Sequence, residues 1–351
     1  MTIEEACKRY HWIQIAPDGV VEMFLDHHAL QTFRSCEAAF ELSIMANVKA
    51  KGKSWNLEFG IIWHYMVEEF YIAKRDGVFN INTWLPKAIT AWTKAKMDEQ
   101  FETHKMYKTL GGLSGLIAMC GQYAEHFAAE VDRLRVIGIE ITFGKKKEVP
   151  LGEFEVPNYK LRQVLRLSYI DTTESTKVRC YLTGRMDFLM DSGSSIGPLD
   201  HKTTAFFRGD PTAAYNPQEG MTGYVYATKF ILKDKFPELL EGRKVDRIWI
   251  NFAQVTPNAN AMERFKRIPI FKTDYQLEEY RLRQLRTFHK IYDMVILGER
   301  PDWNTAVCNN MFHSECQYRA LHRQNTSDAM FQILQNDFVV AEPWNPETVK
   351  D

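Results

Sequence analysis

Apolar positions recur at helical spacing through the first third of the chain. Over residues 26–48, Ala29, Phe33, Cys36 and Phe40 fall on one stripe, and Asp26 stands where an N-cap is favoured; this predicts a helix. Helical periodicity returns from Trp55 to about Lys74, with Gly77 as a stop signal, and continues over 82–136 with a break at Gly111 and Gly112. From Ile137 the texture changes to alternating β-branched and aromatic residues. ITF, KLRQVLRLSYI, VRCYL and MDFLM read as strands, with TTEST and DSGSS as the turns. Residues 217–234 read as a helix, VDRIWINFAQV and RFKRIPIF as strands, and 275–297 as a charged amphipathic helix. Helices, then a mixed sheet, then helices predict an α/β fold with a helical elaboration. We assign a single domain to 1–323, with a helical region at about 55–136, a sheet core at about 137–272 and a Cys/His segment at 303–323. In the tail, 324–351, Phe331, Phe338 and Trp344 suit docking on the domain or on a partner.

Composition narrows the function little. Of 351 residues, 45% are apolar and 25% charged, which fits a folded chain rather than a disordered one. A net charge of −1 disfavours a protein that coats nucleic acid by bulk charge, yet leaves room for a local basic groove. No apolar run is long enough to cross a membrane, and MTIEEACKRYHW lacks a signal peptide's apolar core. The expectation is a cytoplasmic protein with no membrane partner, in which the six cysteines are not a disulfide framework.

The strongest chemical signal is Leu182 to Thr204, LTGRMDFLMDSGSSIGPLDHKTT. Two apolar runs flank a turn cluster, so the segment reads as a hairpin. With the turn centred between Gly193 and Ser194, Asp187 falls opposite Asp200, and opposed residues on one face lie roughly 5 Å apart. Lys202, two residues on, shares that face. Two carboxylates so close repel unless a cation or a proton lies between them, and hard oxygen ligands suit Mg2+ or Mn2+. The His201 carbonyl is a further candidate ligand. A bare D-x-K string is as readily a surface salt bridge, but Met186, Phe188, Leu189, Ile196 and Leu199 frame this one with apolar residues. Buried charges need partners or a metal.

In GIIWHYMVEEF, Gly60, His64 and Glu68 stand at i, i+4 and i+8 on one helical face, with Leu57 and Tyr71 nearby. Gly60 lets a backbone or a strand of nucleic acid approach closely. His64 is a candidate metal ligand, and Glu68 is placed to orient a water; the plainer alternative is an amphipathic helix with a hydrogen-bonded core histidine.

Taken in order, G-x-x-x-H-x-x-x-E, G-R-M-D and L-D-H-K-T-T resemble the RecB-like branch of the PD-(D/E)XK nuclease superfamily, in the manner of AddB and CRISPR-adaptation exonucleases. The resemblance runs from about Leu30 to His322. It implies a restriction-endonuclease-like mixed sheet flanked by helices. It also implies a Mg2+- or Mn2+-dependent deoxyribonuclease, acting as an exonuclease on DNA ends or single strands in recombination, repair or replication. By the resemblance His64, Asp187 and Asp200 bind metal through their side chains and His201 through its carbonyl. Lys202 positions or activates the attacking water. The branch usually places Q-x-x-x-Y on the next helix to contact DNA. Here Tyr224 fits the tyrosine, but Gly220 stands four residues before it and the glutamine is Gln218.

Cys308, Cys316 and His322, with Cys36 far upstream, resemble the set by which some RecB-like nucleases hold a [4Fe–4S] cluster. The final histidine and the wide spacing leave Zn2+, or plain buried thiols, as alternatives. His313 lies between the late cysteines as a further candidate. G-S-S-I-G at 193–197 matches the G-x-S-x-G elbow of serine hydrolases, but Pro198 and a strand follow where a helix is required. KAKGKS lacks the first glycine of a phosphate loop, so helicase work would fall to a separate helicase or recombination partner. Basic residues at Lys49, Lys51 and Lys53, at Lys145–Lys147, and at Arg281, Arg283 and Arg286, with 13% aromatics, suit single-stranded or frayed DNA. The alternative to catalysis is a silent nucleic-acid-binding or assembly subunit on the same fold.

Overall fold

A computed structural model describes residues 1–52, 54–78, 80–128, 134–144, 146–157, 175–205, 215–255, 264–304, 306, 316–324 and 326–345, without the side chains of 128, 157 and 322. The chain opens with α1 (Ile3–Arg9), the strands β1 (Ile13–Ile15) and β2 (Val21–Asp26), and the helices α2 (His27–Ser35) and α3 (Glu37–Phe40). Asp26 caps α2 as expected, its carboxylate accepting the Ala29 N–H at 2.7 Å. The single helix expected over 26–48 is nevertheless broken at Cys36, which is extended at φ −163°. The Ala38 N–H bonds the Asp302 carbonyl (3.2 Å), so a long-range contact overrides helical periodicity. After a π-helical turn at Glu41–Met45 comes β3 (Val48–Ala50).

The helices α4 (Trp55–Arg75), α5 (Ile81–Lys94), α6 (Met97–Phe101), α7 (Lys105–Leu110) and α8 (Gly112–Ala128) follow. Their breaks fall where glycine permits them: Gly77, Gly111 and Gly112 all have positive φ. Then come β4 (Arg135–Phe143), β5 (Pro150–Pro157), β6 (Ser175–Asp191), β7 (Ile196–Thr204), α9 (Glu219–Lys235), β8 (Arg247–Gln254), β9 (Phe265–Phe271) and α10 (Asp274–Tyr292). The chain closes with α11 (Arg319–His322), α12 (Ser327–Asp337) and β10 (Phe338–Val340). VRCYL and MDFLM are one continuous strand, β6, which runs through Gly184 without a turn. KLRQVLRLSYI and most of TTEST lie outside the described residues.

The chain divides into two compact units. Unit 1 comprises Met1–Lys51, Thr142–Gly184 and Tyr275–Asp351; unit 2 comprises Gly52–Ile141 and Arg185–Asp274. In unit 1, β2 pairs in parallel with the first part of β6, and β5 pairs with it antiparallel. The tail docks on its own chain there. Phe338–Val340 pairs antiparallel with Val48–Ala50, and Phe338 is 5% exposed and stacks on Tyr318.

In unit 2, β6 and β7 form an antiparallel hairpin, β7 pairs in parallel with β8, and β8 pairs antiparallel with β9. The sheet is therefore mixed. Alternate residues of β7 serve different ends: Leu199 enters the core with Trp63, Phe188 and Trp249, while Asp200 and Lys202 point to the other face. The aromatic side chains of α4, α5 and α8 share one core with this sheet, and burying a large apolar side chain there stabilises the fold by about 1.5–3 kcal/mol. Among the described residues no helix is long and apolar enough to cross a membrane.

Candidate active site

The hairpin turn is built by Asp191 to Ser195. The Ser192 N–H bonds the Ser195 carbonyl (2.9 Å), and Gly193 takes φ +85°, which a side chain would oppose. Asp191 anchors the turn by accepting the Gly193 N–H at 2.8 Å and pairing with Arg135 and Arg243. The strand β7 after the turn excludes a hydrolase elbow at Ser195. The paired register runs Asp191↔Ile196 to Phe188↔Leu199, so the next step sets Asp187 level with Asp200. The turn centre read from the sequence is the one the chain adopts.

His64, Asp187, Asp200, His201 and Lys202 meet within unit 2. His64 projects from α4, and its Nδ1 lies 3.3 Å from the Asp187 carboxylate. Its Nε2 lies 3.1 Å from the His201 carbonyl oxygen. Both partners are acceptors, so this geometry suits an imidazolium donating from each nitrogen. The charges agree. Burial works against a charged His64, but Asp187 and then Asp200 outweigh it and hold the imidazole above its ordinary range. Burial likewise opposes a charged Asp187, yet His64, His201 and Lys202 keep its carboxyl below the usual range. The His201 N–H adds a hydrogen bond to Asp187 at 3.3 Å.

Lys202 Nζ lies 2.6 Å from Asp200 Oδ2. Asp200 keeps only 9% of its side chain exposed, and burial followed by the neighbouring Asp187 pushes its carboxyl upward despite Lys202. The Lys202 ammonium is stabilised by Asp200 and Asp187 against its own desolvation, and it stays charged above the ordinary lysine range. His64 and Lys202 retain 35% and 32% side-chain exposure, so the cationic side of the group remains reachable from solvent.

A polar network sits beneath β7. Asn251 is level with His201 in the β7–β8 register and donates to the hydroxyls of Tyr71 (3.3 Å) and Tyr123 (3.0 Å). Arg267 donates to Asn251 Oδ1 (2.6 Å) and to the Tyr71 hydroxyl (2.8 Å). The His201 ring packs near Tyr71, Tyr123 and Phe188, and burial drives its pKa well down. His201 is thus neutral, and its backbone, rather than its ring, faces the acidic pair.

Several groups at this site carry no sequence signal. Glu140 on β4 pairs with Arg185 (2.7 Å) and takes φ +50°, rare for a residue with a side chain. Burial, with Asp187 and Glu68 as like-charged neighbours, pushes its carboxyl up to about 7 against the pull of Arg185. Glu68 is therefore within electrostatic reach of the group through Glu140. Tyr215 is the second: burial and the nearby Asp200 raise its hydroxyl pKa against the pull of Lys202.

Gln218 is the N-cap of α9, with extended backbone, and Gly220 lies inside the helix; Tyr224 is half-buried one turn further on. The helix thus starts after Gln218, so the glutamine stands at its N-terminus rather than one turn before Tyr224 on the helix. Gly60 receives no neighbouring backbone: a Cβ there would meet nothing within 4 Å. The basic residues divide, too. Arg281 is occupied by Glu278 and the Leu151 carbonyl, while Lys53 and Lys145 lie outside the described residues.

The donor chemistry fits a hard divalent cation: two carboxylates and a carbonyl sit together beside the Lys202 ammonium, and the Asp200 carboxylate is buried against it. Among the described residues no three His, Cys, Asp or Glu side chains form a metal-ligand group, and His64 lies against Asp187 and the His201 carbonyl. Of the Cys/His set, Cys36 and Cys316 are the members whose side chains are described. Cys36 is buried with Sγ 3.9 Å from the Asp302 carbonyl, and Cys316 packs beside Tyr318 and Leu321. Cys308, His313 and the His322 side chain lie outside the described residues.

The PD-(D/E)XK nuclease superfamily matches residues 27–320, most of the chain and all of the residues gathered at the hairpin. This chain belongs to that superfamily. A likeness to a solved structure accompanies the match: a protein from Eubacterium rectale described as a "Putative exonuclease", 13% identical, with 89% of this chain and 91% of that one covered and a TM-score of 0.41. No curated protein matches the chain significantly. As a PD-(D/E)XK protein, the chain has the expected α/β architecture, a mixed sheet flanked by helices, and its paired acids and lysine stand on the hairpin of that sheet.

Proposed function

We propose that the chain is a divalent-metal-dependent deoxyribonuclease of the RecB-like branch, hydrolysing phosphodiester bonds at DNA ends or in single strands. The observation that carries the reading is the gathering of Asp187, Asp200, the His201 carbonyl and Lys202, with Lys202 Nζ 2.6 Å from Asp200. Superfamily membership supports hydrolysis of nucleic acid, and the order of the three motifs supports the branch and the DNA substrate.

Asp187, Asp200 and the His201 carbonyl would hold Mg2+ or Mn2+, with His64 closing the set once it gives up its proton. The ion supplies a more acidic bound water and neutralises charge on the phosphate. Lys202 orients the attacking water and stabilises the negative charge that develops on the phosphoryl oxygens. Glu68 would hold a water beside the group. Tyr215, next to Lys202 and shortly before α9, supports assigning the start of that helix, with Gln218 and Tyr224, to contact with the DNA strand.

The test uses Mn2+ with end-labelled linear DNA, single-stranded DNA and covalently closed circular duplex. The parent protein should degrade the first two and spare the circle, whereas Asp200→Ala and Lys202→Ala should be inactive. Cleavage of the circle would replace the exonuclease with an endonuclease. Equal cleavage by parent and variants would reject the assignment of the site.

A further inference from the structure

Unit 1 contains a cavity of about 490 Å³, a size usual for small-molecule sites. Four cationic side chains line it: Arg34 from α2, and Arg283, Arg286 and Lys290 from α10. Two carboxylates, Glu37 and Asp302, lie at the same cavity, so cations exceed anions by two. Glu37 is engaged locally, its carboxylate accepting the Asp302 N–H at 3.1 Å. Arg34 is held in place by the buried Gln284, whose side-chain oxygen accepts from the guanidinium at 2.5 Å.

Arg283, Arg286 and Lys290 stand at i, i+3 and i+7, on one face of α10, and like charges four residues apart, such as Arg286 and Lys290, destabilise a helix. Guanidinium groups in a fixed arrangement match the oxygens of a phosphate. The walls also contain the buried Phe33 and Thr287, so the cations surround a recess rather than a flat surface. The two arginines singled out in the sequence beside Arg281 therefore have a shared destination that Arg281 does not.

We propose that this cavity binds a phosphate group, either of a free nucleotide or of a nucleic-acid strand. The site goes beyond the nuclease reading and does not depend on it: a chain that cut nothing would still hold the phosphate. Binding is measured calorimetrically in EDTA, so that cleavage does not intervene, and at fixed ionic strength, so that general screening stays constant. The probes are inorganic phosphate, deoxyadenosine monophosphate and a short single-stranded oligodeoxynucleotide. The comparison is the parent against the double variant Arg286→Gln, Lys290→Gln. Both positions are exposed, so the substitutions leave the core untouched.

At least one probe should saturate the parent and bind the double variant about tenfold or more weakly. Saturation by phosphate and the mononucleotide identifies a free-phosphate site; saturation by the oligonucleotide alone identifies a strand contact. Lys290→Arg, which keeps the charge, should retain most of the affinity. Equal affinity in parent and double variant, or no saturable binding of any of the three probes, would overturn the proposal.

Discussion

At Lys202 an ammonium meets a buried carboxylate, and each is stabilised chiefly by the other. Removing the amine leaves Asp200 buried beside Asp187 without its cation. Lys202→Ala should therefore lower the cleavage rate by on the order of a hundredfold or more in single-turnover assays, as expected for a group that stabilises developing charge. Lys202→Arg should restore little, since a planar fork does not replace a point charge at this spacing. His64 makes a separate prediction. Its folded-state pKa is raised, so its stabilising contact with Asp187 is fully present below the ordinary histidine value of about 6.5 and is lost as pH rises through the raised one. Glu140, raised to about 7, acts with the same sign: the folded chain binds its proton more tightly, so stability falls as pH climbs from about 4.5 towards 7. Urea melts in EDTA should show stability declining from mildly acidic to neutral pH, with a shallower slope in Glu140→Gln; an unchanged slope would contradict the assignment. Asp187, Asp200 and Lys202 were readable because strand parity and a local turn place them. Glu140 and Tyr215 were not, because pairing of distant strands and a segment beyond the hairpin bring them to the site.

Among the elements, the β6–β7 hairpin sets the site, and its fit against β8 is tight. A Cβ at Gly197 would stand 2.2 Å from the Arg247 carbonyl oxygen. Gly197→Ala should then cost about 1–3 kcal/mol in a denaturant titration, the usual range for overpacking a closed interface. A loss below the error of the titration would mean that β8 moves aside freely. α4 shows the opposite case, where apolar periodicity alone gave the helix from Trp55 almost to its observed end at Arg75. The break at Cys36 escaped the same reasoning. Ala29, Phe33 and Phe40 are all buried, as the apolar pattern implied, but they belong to two helices, and the Ala38 N–H just after the break bonds the distant Asp302 carbonyl. The helix read over 217–234 is α9, Glu219–Lys235, within the ordinary scatter of helix ends.

For the whole molecule, topology is what the sequence conceals. Parallel pairing of β7 with β8 requires a crossover through α9, and nothing local in either strand specifies the partner. The tail is similar: Phe338 was visible as an apolar residue, but its place on β3 and Tyr318 was not. Phe338→Ala should destabilise the chain by about 3 kcal/mol or more, as for other buried phenylalanines, and thermal unfolding would read this loss. The central claim is that one acidic hairpin gathers a divalent cation next to Lys202. Calorimetric titration of Mn2+ into the parent and into Asp200→Asn tests it most directly. Saturable binding in the parent that disappears in the variant is the expected result; identical heats from both proteins, or no binding to the parent, would contradict it.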